Sequence, residues 1–104
     1  MKLSEEKLTK LIKKMINVIK PNGVSDISFR LEPLTIRDDE YYIHLTYIVP
    51  DDSEYLTPSH MRSMIDIQTN WNYEIKKSIN DYFNTVVFVG STNIASESYY
   101  NSQK

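Results

Sequence analysis

The chain has 104 residues, 40% hydrophobic and 25% charged, with a formal charge of −2, which is the size and make-up of one soluble domain around one core. It holds no cysteine and two histidines, which argues against disulfide scaffolds, thiolate chemistry and transition-metal centres, and no apolar run approaches the roughly 20 residues that cross a bilayer. Charge is uneven: residues 1–20 carry six lysines against two glutamates and the remainder six basic against twelve acidic residues, so a basic helix is expected on an acidic body.

The first helix is expected from about Ser4 to Lys20. Leu8, Leu11, Ile12, Met15, Val18 and Ile19 recur at three- and four-residue steps and form one apolar stripe. Ser4 is its expected N-cap, with Glu5 and Glu6 at the positive end of the helix dipole. Pro21-Asn22-Gly23 then stops the helix and turns the chain.

Two strands follow. From Val24 to Leu34, Ile27, Phe29 and Leu31 alternate with polar residues, and from Glu40 to Val49, Tyr41, Ile43, Leu45, Tyr47 and Val49 alternate with Tyr42, His44, Thr46 and Ile48. Alternation of this kind marks strands with one buried face, and the short polar link at 35–39 predicts an antiparallel hairpin. After the loop Pro50-Asp51-Asp52-Ser53-Glu54, Thr57-Pro58 reads as an N-cap followed by proline at the first helical position.

Met61, Met64, Ile65, Trp71, Ile75, Ile79, Tyr82 and Phe83 share one arc, so the second helix is long and reaches Asn84. A kink or break is expected near Thr69 to Asn72, where weak helix formers also make good caps. Trp71, on the apolar arc, is expected in the core. The last strand is expected over Thr85 to Gly90, through the apolar run Val86-Val87-Phe88-Val89. The remainder, 91–104, is polar and Ser/Asn-rich, which predicts a partly disordered tail after a single α+β domain over 1–90. The order α-β-β-α-β predicts a two-layer sandwich with a three-stranded sheet and both helices on one face.

Chemistry is sparse. His44 lies on the outer face of its strand without a carboxylate placed beside it by sequence, and His60 lies in the first turn of a helix, where an imidazolium would oppose the dipole. Asp38-Asp39-Glu40 and Asp51-Asp52-Ser53-Glu54 do not have the spacing of a calcium loop and read as solvated loops and caps. Ser59 and Ser63 lack the glycine-flanked turn of a serine nucleophile, and two glycines, Gly23 and Gly90, leave no material for a phosphate-binding loop. The expectation is a protein without enzymatic activity, catalytic residues, metal, cofactor or small-molecule substrate.

One oddity points elsewhere. A strand with one wet face should alternate, yet Val86 to Val89 is apolar on both, and Tyr42 and Ile48 add apolar area to the outer face. The residues Tyr42, His44, Thr46, Ile48, Val86 and Phe88 are therefore expected to form an interaction surface, covered by the tail through Tyr99 and Tyr100, by a second copy or by a protein partner. Lys7, Lys10, Lys13 and Lys14 lie opposite the apolar stripe as a polyanion contact, although a pI near 5.6 does not favour nucleic acid.

Element order is similar to that of type II KH-like domains, including the bacterial ribosome-binding-factor family, over about residues 4–90. The G-x-x-G of those domains is replaced here by Gln68-Thr69-Asn70-Trp71-Asn72. The resemblance implies an RNA- or ribosome-associated module using the first helix and the expected kink. The leading expectation is a non-enzymatic interaction or assembly protein, a structural or accessory component of a phage or virus. The codon-biased composition, with one alanine and many Ile, Lys, Asn and Tyr residues, fits a low-GC genome. A small acidic inhibitor that mimics nucleic acid is the third. The expected location is the cytoplasm or a virion assembled there, because residues 3–20 are interrupted by charge and hold no signal-peptide core.

Overall fold

The computed structural model describes residues 4–34, 40–57, 63–83 and 85–103, the side chain of Met64 excepted. Its elements are α1 (Glu5–Ile19), β1 (Asp26–Pro33), β2 (Glu40–Val49), a single 3-10 turn (Glu54–Leu56), α2 (Met64–Phe83), β3 (Val86–Ser96) and α3 (Glu97–Ser102). Sheet order is β1-β2-β3, with β1 antiparallel and β3 parallel to the central strand. This is the expected α+β sandwich with one further helix.

α1 starts where the sequence places it: the Ser4 hydroxyl accepts a hydrogen bond from Lys7 N–H, and Glu5 and Glu6 sit in the first turn. It ends at Lys20 with extended backbone, and Gly23 makes the turn at φ 86, in the region that side chains with a Cβ avoid. The apolar arc of α1 spans about 160°, wider than the sheet can cover. Leu8, Ile12 and Ile16 are buried, whereas Leu11 and Val18 on the flank are not. The buried face is turned toward Ile16, absent from the expected stripe, and away from Val18 on the opposite edge of the arc.

Tyr41, Ile43, Leu45, Tyr47 and Val49 of β2 are all buried, and with Ile27 and Leu31 of β1 and Val87 of β3 they meet Ile75 and Ile79 of α2. α2 runs unbroken through Thr69–Asn72, so the expected kink is not there. The polar residues in its arc instead have work inside: Asn72 Oδ1 accepts from the Tyr47 hydroxyl at 2.6 Å and from Thr92 at 3.3 Å, and Gln68 Oε1 accepts from Thr92 at 3.2 Å. Burial pushes the Tyr47 hydroxyl well above its ordinary pKa, so it is a donor at all accessible pH. Trp71 is half-buried, 4.9 Å from the Tyr47 ring and 5.2 Å from that of Tyr55, as expected of a core residue. Ile65 and Tyr82, assigned to the same core arc, are exposed near the two ends of α2. Thr57 bonds back to Glu54 O at 2.7 Å, closing the 3-10 turn; the helix start expected at Pro58, and with it Met61, lies outside the described residues.

The C-terminal stretch departs most from expectation. β3 does not end at Gly90 but continues to Ser96, and α3 follows where a polar tail was expected. Two things permit this. A bulge between the pairs at Ile43 and Leu45 shifts the phase of β3, so Val87 and Val89 face the helices before it and Thr92 and Ile94 after it. The inward polar residue, Thr92, finds partners on α2. α3 then has its own N-cap, Ser96 Oγ accepting from Tyr99 N–H at 3.2 Å.

The candidate site on the outer face of the sheet

Register places Tyr42, His44, Thr46 and Ile48 of β2 on the face away from α1 and α2, with Val86, Phe88, Asn93 and Ala95 of β3 beside them and Ser28 of β1 on the far side. The expected surface residues thus do share one face. α3 divides that face in two.

One end is closed by α3. Asp51 accepts from Ser98 N–H at 3.0 Å and from the Ser98 hydroxyl, Glu97 Oε1 accepts from the Ser25 hydroxyl at 2.6 Å, and the Tyr100 hydroxyl donates to Ser28 Oγ at 3.1 Å. These ties hold α3 across the strands, and Ile48 is buried, as is Ala95 beside it. Ile48 therefore leaves the docking surface: of the covers anticipated, the chain's own C-terminal segment occupies this end. Thr46 lies between the two ends, its hydroxyl donating to Asn93 Oδ1 at 2.8 Å.

The Asp51 tie carries a pH dependence. The Ser98 hydroxyl and then the Ser98 N–H hold the Asp51 carboxyl below the usual range. A carboxyl depressed in the folded state contributes stability above its unfolded value of about 3.9, and that contribution is lost as pH falls through the folded value. The protection of the Ser98 to Tyr100 amides, measured against the intrinsic exchange rate at each pH, is expected to fall below about pH 4, and Asp51→Asn is expected to show the same loss of protection at neutral pH. Unchanged protection in both cases would mean that α3 is held by other contacts.

The other end stays open. Tyr42, Val86 and Phe88 are 37%, 39% and 37% exposed, whereas Val87 between the last two is fully buried. The Tyr42 and Phe88 rings lie 6.2 Å apart, and Lys76 reaches round from α2 to bring its Nζ within 5.4 Å of the Phe88 ring centre.

His44 stands between the two ends and has partners that sequence reading missed. Its Nδ1 accepts from Ser91 N–H at 3.1 Å and lies 2.8 Å from the Ser91 hydroxyl, and its Nε2, buried and without a hydrogen-bond partner, is 3.5 Å from Glu32 Oε1. Since a backbone N–H can only donate, Nδ1 is the bare nitrogen and Nε2 carries the proton facing the carboxylate. Serine, imidazole and carboxylate lie in the order used by nucleophilic hydrolases. Here, however, the lone pair a general base would use on the hydroxyl is already engaged by the backbone of the same serine. The arrangement works as a clamp on the bulge, with the imidazole laid over Gly90. Its only sequence signal is a glycine interrupting an apolar strand run.

The clamp explains why residue 90 is glycine. A Cβ there would sit 2.6 Å from His44 Cε1 and 2.9 Å from Nδ1, so the ring would have to leave its place against Ser91. Gly90→Ala is expected to cost about 1–3 kcal/mol in urea unfolding and close to nothing in a His44→Ala background, where the obstacle is gone. Equal costs in both backgrounds would remove the clamp from the account.

Lys7, Lys10, Lys13 and Lys14 are exposed on α1 but do not share one face as expected: helical spacing sets Lys10 and Lys13 opposite the apolar stripe and Lys7 and Lys14 on its flank beside Leu11 and Val18. Lys10 pairs with Glu6 at 3.7 Å, with both side chains largely in solvent, a contact of small value. Of the acidic clusters, Asp38-Asp39 lies outside the described residues, as do His60 and Ser59, while Asp51 is tied to Ser98 and Ser53 caps the 3-10 turn through Tyr55 N–H at 3.2 Å. Among the described residues no three His, Asp or Glu side chains come together as a metal group, and no helix is long and apolar enough to cross a membrane. In comparisons with family models, curated proteins and solved structures, the chain matches none.

Proposed function

We propose that this chain is a non-enzymatic assembly protein that associates through the open end of its outer sheet face, with a second copy of itself as the partner. The observation that carries the reading is the two-sided character of β3: Val87 completes the core while Val86 and Phe88, next to Tyr42, remain 39% and 37% exposed. Apolar side chains gathered on one sheet face are what an interface buries. The charge around them has both signs, Lys76 on one side and Glu32 on the other, so two copies related by a two-fold axis can set unlike charges opposite each other. The chain has no cysteine and so needs no oxidising compartment; the location that goes with this reading is the cytoplasm or a virion assembled there.

Sedimentation velocity over a concentration series tests the proposal, comparing the natural chain with Phe88→Glu. Lys76 stands where it can pair with the new carboxylate, so the variant is expected to remain folded. Concentration-dependent association that Phe88→Glu weakens at least tenfold is the expected result. A monomer throughout, or association indifferent to Phe88→Glu, would overturn it.

A further inference from the structure

A second apolar surface lies on the opposite side of the molecule, where the wide arc of α1 overruns the sheet. Leu11, Met15 and Val18 of α1 and Tyr82 and Phe83 at the end of α2 wall a groove of about 340 Å³, with Lys14 among its lining residues. Val18 is 84% and Tyr82 76% exposed. Neither contributes to the core, and the Tyr82 and Phe83 rings, edge to face at 4.8 Å, make the far wall aromatic.

Shape and charge together select the occupant. Leu11, Met15 and Val18 fall at i, i+4 and i+7 and form a ridge about 10 Å long, two helical turns; a groove between two helices accepts the side-chain ridge of a third. Lys7, Leu11, Lys14 and Val18 follow one another at i, i+4, i+7 and i+11, so basic and apolar residues alternate along one face of α1. Among the described residues that line the groove none is acidic. Neither Lys7 nor Lys14 has an ion-pair partner among them, in contrast to Lys10. A rim of one sign repels the same surface of a second copy and attracts carboxylates, the reverse of the mixed-sign rim on the outer sheet face.

We infer that this groove binds an acidic amphipathic helix of a partner protein, whose apolar ridge lies between Val18 and Tyr82 and whose carboxylates reach Lys7 and Lys14. The probe is a fluorescein-labelled helical peptide of about 18 residues with leucine at i, i+3, i+4 and i+7 repeats, glutamate on the flanks and alanine elsewhere. A second peptide replaces every glutamate by lysine. The acidic peptide is expected to bind at least tenfold more tightly in fluorescence anisotropy and to weaken with added salt. Val18→Asp, at an exposed position that leaves the fold intact, should lose at least tenfold, and Lys7→Glu/Lys14→Glu should reverse the preference between the peptides. Phe88→Glu should bind the acidic peptide as the natural chain does, so failure of this site and failure of the outer-face site are read separately. Equal binding of the two peptides, binding of neither, or indifference to Val18→Asp would overturn the inference. So would Val18-dependent sedimentation with phosphatidylglycerol vesicles and no peptide preference, which would assign the groove to a lipid surface instead.

Discussion

Val87→Glu is expected to unfold the chain, whereas Phe88→Glu, one residue along the same strand, is expected to leave it folded. Val87 is fully buried among Ile75, Ile79 and the inner face of β2, and among the described residues no charged side chain is buried in that core. A carboxylate there is left without a partner, a change that costs more than about 4 kcal/mol. Against a total stability of about 5–15 kcal/mol for a domain, most of the population would be lost. Phe88 is more than one-third exposed and has Lys76 within reach, so its replacement loses the contact with Tyr42 and gains an ion pair, a net cost of about 1–2 kcal/mol. Far-UV circular dichroism and urea titration distinguish the two variants, and similar stabilities would contradict the assignment of faces on β3.

The second large effect is expected at Asn72. Its Oδ1 is the acceptor for the fully buried Tyr47 hydroxyl at 2.6 Å. Asn72→Leu keeps the branching at Cγ and removes the acceptor, leaving a buried donor unsatisfied at a cost of about 2–3 kcal/mol. Tyr47→Phe alone removes the donor and costs about 1 kcal/mol. In the double variant no group is orphaned, so the pair should lose less than the sum of the two single changes. Additive costs from urea unfolding would show that the hydrogen bond is not what places a polar residue inside α2.

These two residues also show where sequence periodicity succeeds and where it stops. The inner face of β2 and the buried residues Leu8 and Ile12 of α1 follow from spacing alone, because every inward position is apolar and its period is unbroken. Asn72 and Gln68 interrupt the arc of α2, and the local preferences of Thr69 to Asn72 suggest a break. The helix continues because Tyr47 and Thr92, distant in sequence, supply partners that turn those polar residues into core contacts. β3 was legible only to Gly90 for a related reason: the bulge at Gly90-Ser91 reverses which positions face inward, and the alternation is lost across it. The clamp that stabilises the bulge joins His44, Ser91 and Glu32 from three strands, a juxtaposition that no local pattern encodes.

The candidate surface was legible in part. Its six expected residues do share a face, since strand alternation assigns them to it. That α3 would bury Ile48 could not be read from residues 97–102, where the six side chains of Glu97-Ser98-Tyr99-Tyr100-Asn101-Ser102 offer no apolar stripe. α3 is docked instead by hydrogen bonds with Ser25, which donates to Glu97, and with Ser28 and Asp51, which accept from Tyr100 and Ser98. The groove on the other side was hidden within a correct observation, the apolar stripe of α1, whose width exceeds what one sheet can cover.

The account depends on Tyr42, Val86 and Phe88 being the part of the outer face that makes contact with a second copy. Two-dimensional ¹H–¹⁵N spectra recorded over a dilution series test this residue by residue. The expected result is a set of shifts at Tyr42, Val86 and Phe88 and their cross-strand neighbours that vanishes on dilution, with α3 and the α1–α2 groove unchanged. Concentration-dependent shifts centred on Val18 and Tyr82, or spectra that do not change with concentration at all, would contradict it.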